Sequence, residues 1–191
     1  MNEQTEKIKN FIENNLIVDR FPVLNEVRQG GKHKNCKVVI NVSDEFYLGH
    51  SEQIMEMGKL NYYFPMGEAG ELMGLNSIYG AMQVLHGVYT WKPEWKVLIH
   101  CQAGANRSPT IFAAFHFMMI GEHFKEESKG AIIMKSNQLL WNIKKGHLPE
   151  KEKMEAFLIK CKEAFDNPEK FFGGMFDWVM NESGCGKYKL K

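Results

Sequence analysis

The segment His100-Cys101-Gln102-Ala103-Gly104-Ala105-Asn106-Arg107-Ser108 constrains this chain more than any other. It is entered from the apolar run Val97-Leu98-Ile99 and left through Pro109-Thr110 into a nearly all-apolar stretch, Ile111 to Ile120. A short apolar run, a glycine-bearing loop and a longer apolar run predict a buried strand, a tight turn and a buried helix. Five residues between a cysteine and an arginine can close a loop whose backbone N–H groups point at one centre. Such a nest attracts an anion, and the following helix aims its positive end at the same point. Pro109 suits the first helical turn, where its missing N–H loses nothing.

Each residue type in the loop has a chemical reason. A free thiol is mostly protonated at neutral pH and therefore a poor nucleophile. Beside oriented N–H dipoles, an arginine and a helix N-terminus, its pKa can fall to about 3.5–7.5. Cys101 is predicted to stand where a strand ends, at the mouth of the nest. Gly104 lets the loop turn tightly and brings backbone close to a ligand. Arg107 presents a planar fork to two oxygens of a phosphate, which lysine cannot do. Cys36, Cys161 and Cys185 read instead as inert apolar side chains.

These residues resemble the phosphate-binding loop of the cysteine-dependent protein tyrosine phosphatases, and Ser108-Pro109-Thr110 is similar to the dual-specificity branch. The resemblance implies in-line attack by a thiolate, a cysteinyl-phosphate intermediate, and hydrolysis by water with neither metal nor other cofactor. It makes Cys101 the nucleophile and Arg107 the group that binds phosphate and stabilises its transfer. It has Ser108 hydrogen-bond the departing thiolate and His100 orient the loop, and it assigns Gln102, Ala103, Gly104, Ala105, Asn106 and Arg107 to the phosphate cradle. The likeness extends more loosely from about residue 16 to 160. Rhodanese-like domains also set a cysteine between strand and helix, but the Arg-Ser-Pro continuation and the apolar helix favour the phosphatase.

The main departure is the general acid. The resemblance implies an aspartate in a mobile loop before the preceding helix, yet Pro65 to Gly74 contains none. Glu68 matches the position best; Glu71 and Asp44 are the alternatives. A glutamate can deliver the proton if its pKa is raised towards the working pH. Glycines 67, 70 and 74 would let the segment close as a lid, or equally mark an ordinary surface loop. Without such an acid, alkyl phosphates would be hydrolysed slowly, and a phosphate-recognising module with little turnover becomes the alternative.

Alternation along the chain predicts an α/β fold: a mainly parallel central sheet flanked by helices. Strands are expected at 16–18, 37–42, 60–64 and 96–100. Helices are expected at 3–14, 51–58, from a cap at Asn76 or Ser77, at 111–120, from Ser128 to Lys145, and from Pro149 onward. Met154, Phe157, Leu158, Cys161 and Phe165 form an apolar stripe at helical spacing. Cys36 opens one parallel strand and Cys101 ends another, about 15 Å apart at ~3.3 Å per residue, which disfavours a disulfide between them. His116 reads as a core histidine; with His123 it lacks a third metal ligand at useful spacing.

At 191 residues and 44% hydrophobic, the chain can bury an ordinary core. The domain is expected over residues 1–166, with 167–191 as an extension. A net charge of +1 offers no field for nucleic acid or an anionic membrane. Four cysteines without regular spacing, a polar N-terminus and the lack of a long apolar run point to the cytoplasm. The uncharged loop positions 102, 103, 105 and 106 argue against highly phosphorylated lipids. Phosphotyrosine is the leading substrate, with phosphoserine and phosphothreonine next, so a phosphorylated protein or peptide is the expected partner. An RNA 5′-phosphatase using the same chemistry ranks lower. The apolar segment Phe171 to Met180 is expected to pack on the domain, with homodimerisation as the alternative.

Overall fold

Among the described residues four short strands lie side by side, all parallel, in the order β1-β4-β2-β3: β1 Leu16–Asp19, β2 Cys36–Asn41, β3 Leu60–Tyr63 and β4 Lys96–His100. The structure is a computed structural model that describes residues 3–45, 47–67, 73–120 and 131–167. Central strands of a parallel sheet are covered on both faces and read as continuous apolar runs. Val38-Val39-Ile40 in β2 and Val97-Leu98-Ile99 in β4 do so, and all six are fully buried.

The two faces are unequal. Val38, Ile40, Val97 and Ile99 point into the larger core, built with α1 Glu3–Asn15, α4 Leu75–Trp91, α5 Arg107–Ile120, α6 Ala131–Lys144 and α7 Lys151–Asp166. Val39 and Leu98 point the other way, onto a thin layer from α2 Leu24–Val27 and α3 Leu48–Glu56. The large core is centred on α5, whose Ile111 to Phe115 are all buried. That is why its sequence shows no amphipathic stripe: it has neighbours all round.

The expected strands and parallel sheet are present, and Ile8, Phe11 and Ile12 form the buried face of α1. In α7 Met154, Phe157, Leu158 and Cys161 are buried, and Phe165 packs against the same core. Helix α6 stops where Gly146 predicts. The Gly146 N–H bonds Ile143 O at 3.0 Å and the His147 N–H bonds Asn142 O at 2.9 Å, with Gly146 at φ 75. This is the paired-bond helix end that glycine permits.

Several boundaries differ from expectation, among them the starts of α4 and α7. Helix α4 begins at Leu75 with Gly74 as its cap residue, so neither Asn76 nor Ser77 caps it. The Ser77 hydroxyl instead donates to the Pro65 carbonyl. Helix α7 begins at Lys151, with Pro149 ahead of its cap residue Glu150. The short α2 was not foreseen, because a single turn carries no periodicity to read. The expected start of α6 at Ser128 lies outside the described residues, as does the segment 168–191. No helix among the described residues is long and apolar enough to cross a membrane.

Candidate active site

Strand β4 delivers Cys101 to the carboxyl end of the sheet, where ligands of open parallel sheets bind. Residues 102–106 turn irregularly, and α5 starts at Arg107. Gly104 is required twice over. Its φ is 70, and a Cβ there would sit 2.5 Å from the Arg20 nitrogen and 2.6 Å from the Asp19 carbonyl carbon. The loop thus leans on the end of β1. The Phe21 N–H donates to Gln102 O at 3.1 Å, and the Ser108 hydroxyl reaches Asp19 O at 3.5 Å.

Cys101 is buried, with its sulfur 3.3 Å from the Ser108 hydroxyl. Burial alone would push this thiol up. The Ser108 hydroxyl and the backbone N–H groups of Ser108, Gly104 and Asn106 outweigh it and hold the thiol below its ordinary value. Cys36 and Cys161 show the contrast, since burial pushes both up. Burial in one loop therefore coexists with a stabilised thiolate because donors converge there.

His100 beneath the loop is held down to about pH 3 by burial, with the neighbouring His50 acting in the same direction. It is neutral at physiological pH, and its ring meets the Phe21 ring edge-on at 5.0 Å. Asp19, at the end of β1, accepts bonds from Lys32 at 2.6 Å, the Arg20 N–H at 2.8 Å and His33 at 2.9 Å. Burial pushes its carboxyl up, but these donors win and bring it down to about 2.

Arg107 closes the loop with a nearly buried guanidinium. Its Nη1 donates to Asp44 Oδ1 at 2.5 Å and to the Met66 carbonyl at 3.2 Å. The Arg107 bond holds the Asp44 carboxyl below its usual range, so Asp44 here is an anion seated on the arginine rather than a poised acid. Met66 stands two residues before Glu68. Glu68 and Glu71 themselves lie outside the described residues.

The structure adds side chains that sequence reasoning missed. Gln138 of α6 donates to Asn106 Oδ1 at 2.7 Å, and Asn142 donates to the Thr110 hydroxyl. Thr110 in turn donates to Asn106 O at 2.8 Å. The last turn of the loop is thereby tied to α6. Two amides spaced i, i+4 on one helix were the available signal, but they point at the loop only once the helices have packed. No group of three His, Cys, Asp or Glu side chains among the described residues could hold a metal ion, and His123 lies outside them.

No family model and no curated protein sequence matches this chain. Solved structures match by shape. Tk-PTP in its active form superposes with a TM-score of 0.50 at 16% identity, covering 83% of this chain and 96% of that one. PTPMT1 in complex with PI(5)P gives 0.53 at 15% identity, covering 82% and 96%. The four parallel strands, their helical layers and the cysteine loop at the carboxyl end of β4 therefore make up a tyrosine-phosphatase-like α/β fold.

Proposed function

We propose that this protein hydrolyses phosphate monoesters through a cysteinyl-phosphate intermediate, with phosphotyrosine in a protein or peptide as the preferred substrate. One observation carries the reading: the thiol that three backbone N–H groups and the Ser108 hydroxyl stabilise shares a short loop with the Arg107 guanidinium. A pure phosphate binder has no use for a stabilised thiolate. The uncharged loop side chains favour a singly phosphorylated substrate. The PI(5)P bound in the PTPMT1 structure marks phosphoinositides as the class to test against it.

The Cys101 sulfur attacks phosphorus in line, forming an S–P bond as the P–O bond to the leaving group breaks. The loop N–H groups and Arg107 carry the charge on the transferring oxygens. A carboxyl group gives its proton to the departing oxygen, and Glu68 is the proposed donor. Water then attacks phosphorus and returns a proton to that carboxylate, while the S–P bond breaks. The Ser108 hydroxyl, at 3.3 Å, stabilises the sulfur as it leaves. Every step is served by the protein's own groups, so turnover is expected in chelator. A reducing compartment, the cytoplasm, would keep such a thiolate from oxidation.

The test is turnover of an aryl phosphate in EDTA by the wild type, Cys101→Ser and Glu68→Gln across pH. Loss of turnover in Cys101→Ser with phosphate binding kept, and loss of the basic limb in Glu68→Gln, is the expected pattern. Turnover indifferent to Cys101 would overturn the mechanism. An inactive wild type that still binds phosphate would leave a recognition module in its place.

A further inference from the structure

At the end of the sheet away from Cys101, α4 and the edge strand β3 enclose an open apolar groove of about 390 Å3. Leu60, Tyr62, Val84, Gly87, Trp91 and Trp95 line it, with Lys92 on its rim. Trp91 is 79% exposed and Leu60 46%. Large apolar side chains clustered in a concave surface are the mark of a covered site.

What lies next to the groove is the end of α7. Tyr79, Gln83, Gly87 and Trp91 form one i, i+4 row along α4. Phe165, in the last turn of α7, stacks on Tyr79 at 5.6 Å and on His86 at 4.8 Å, so it occupies the head of that row. The rest of the row is the groove wall. Beyond Asn167 the sequence continues Pro-Glu-Lys and then Phe171-Phe172-Gly173-Gly174-Met175-Phe176-Asp177-Trp178. The row from Tyr79 to Trp91 spans about 18 Å at ~1.5 Å per residue. The six residues from Phe165 to Phe171 reach roughly 20 Å when extended.

We infer that the groove is the docking site of the chain's own C-terminal segment, with Phe171 and Phe172 seated over Gly87 between Trp91 and Tyr62. The tethered segment starts beside the groove, so its local concentration far exceeds that of any free partner. It also supplies the matching chemistry: aromatic groups for the apolar wall and Asp177 for the Lys92 rim. Gly87 fits this role, because a Cβ there would meet nothing within 4 Å. The groove lies at the opposite end of the sheet from Cys101, so a segment seated in it leaves the Cys101 loop open.

Limited trypsin cleavage at the Lys170–Phe171 bond of the full chain tests this. Docked, the bond is cut slowly; Gly87→Lys, which fills the groove without a clash in the domain, is expected to speed cleavage at least about tenfold. Phe171→Ser/Phe172→Ser should do the same, with melting temperature and aryl-phosphate turnover near wild type. Trp91→Ser, at an exposed position, serves as the second groove variant should Gly87→Lys misfold. Protection that persists through hundredfold dilution supports the tail. Protection lost on dilution would assign the groove to a second copy and overturn the inference, as would cleavage that the groove variants leave unchanged.

Discussion

At Cys101 two opposed effects meet, and the geometry says which wins. The burial that pushes Cys36 and Cys161 up acts on Cys101 as well, but only Cys101 has a hydroxyl and three N–H groups aimed at it. Alkylation by iodoacetamide should therefore reach half its maximal rate at a lower pH for Cys101 than for an ordinary cysteine. Ser108→Ala should move that midpoint upward, and an unmoved midpoint would remove Ser108 from the account. Gly104→Ala must pay for a left-handed backbone and an overlap with the end of β1. Turnover is expected to fall about a hundredfold, the scale of a ~1 Å misplacement, as initial rates would show. Asp44→Asn frees Arg107 from its exposed partner. Such a pair is worth about 0.2–1 kcal/mol, so inorganic phosphate should inhibit up to about fivefold more tightly. If Asp44 supplied the proton instead, the same variant would lose the basic limb of its pH profile.

Helix α6 acts as a splint for the loop. Asn142 is fully buried and donates to Thr110, while Gln138 holds Asn106 next to Arg107. Asn142→Leu leaves the buried Thr110 oxygen without its donor, an expected loss of about 1–3 kcal/mol in urea unfolding. Turnover should drop with it, more in kcat than in KM. Loss of stability with unchanged turnover would make the tie purely structural. The loop, β4 and α5 were legible because each is written in consecutive residues, as an apolar run, a spaced Cys and Arg, and a helix start. The splint was not, since it joins side chains 32 positions apart. The cap of α4 was misread for a related reason: Ser77 has the right chemistry for a cap, but a distant carbonyl takes its hydroxyl.

On the scale of the whole molecule, the pairing of strands was legible in kind but not in order. Parallel pairing follows from strands separated by helices; that β1 lies beside β4 depends on contacts between the two ends of the domain. Acid stability is set at this scale too. Between pH 6.5 and about 3 the unfolded chain takes up a proton at His100 that the folded protein refuses, so stability falls as pH falls through that window. Burial of His86 acts in the same direction. Asp19, lowered from 3.8 to about 2, contributes stability above 3.8 that is lost as pH drops towards 2. Urea midpoints should decline from pH 7 to 4, with a shallower decline in His100→Gln; parallel declines would exclude His100 as a source.

Because Gly104 rests on Asp19 and Arg20, the phosphate cradle is finished by the first strand of the chain, laid against the fourth. During synthesis the ribosome must release residues past Arg107 before that seam can form. Until then Cys101 is an ordinary thiol, slow to react with peroxide or with any bystander electrophile. The nascent polypeptide thus carries its reactive sulfur in an unreactive form until that seam has closed.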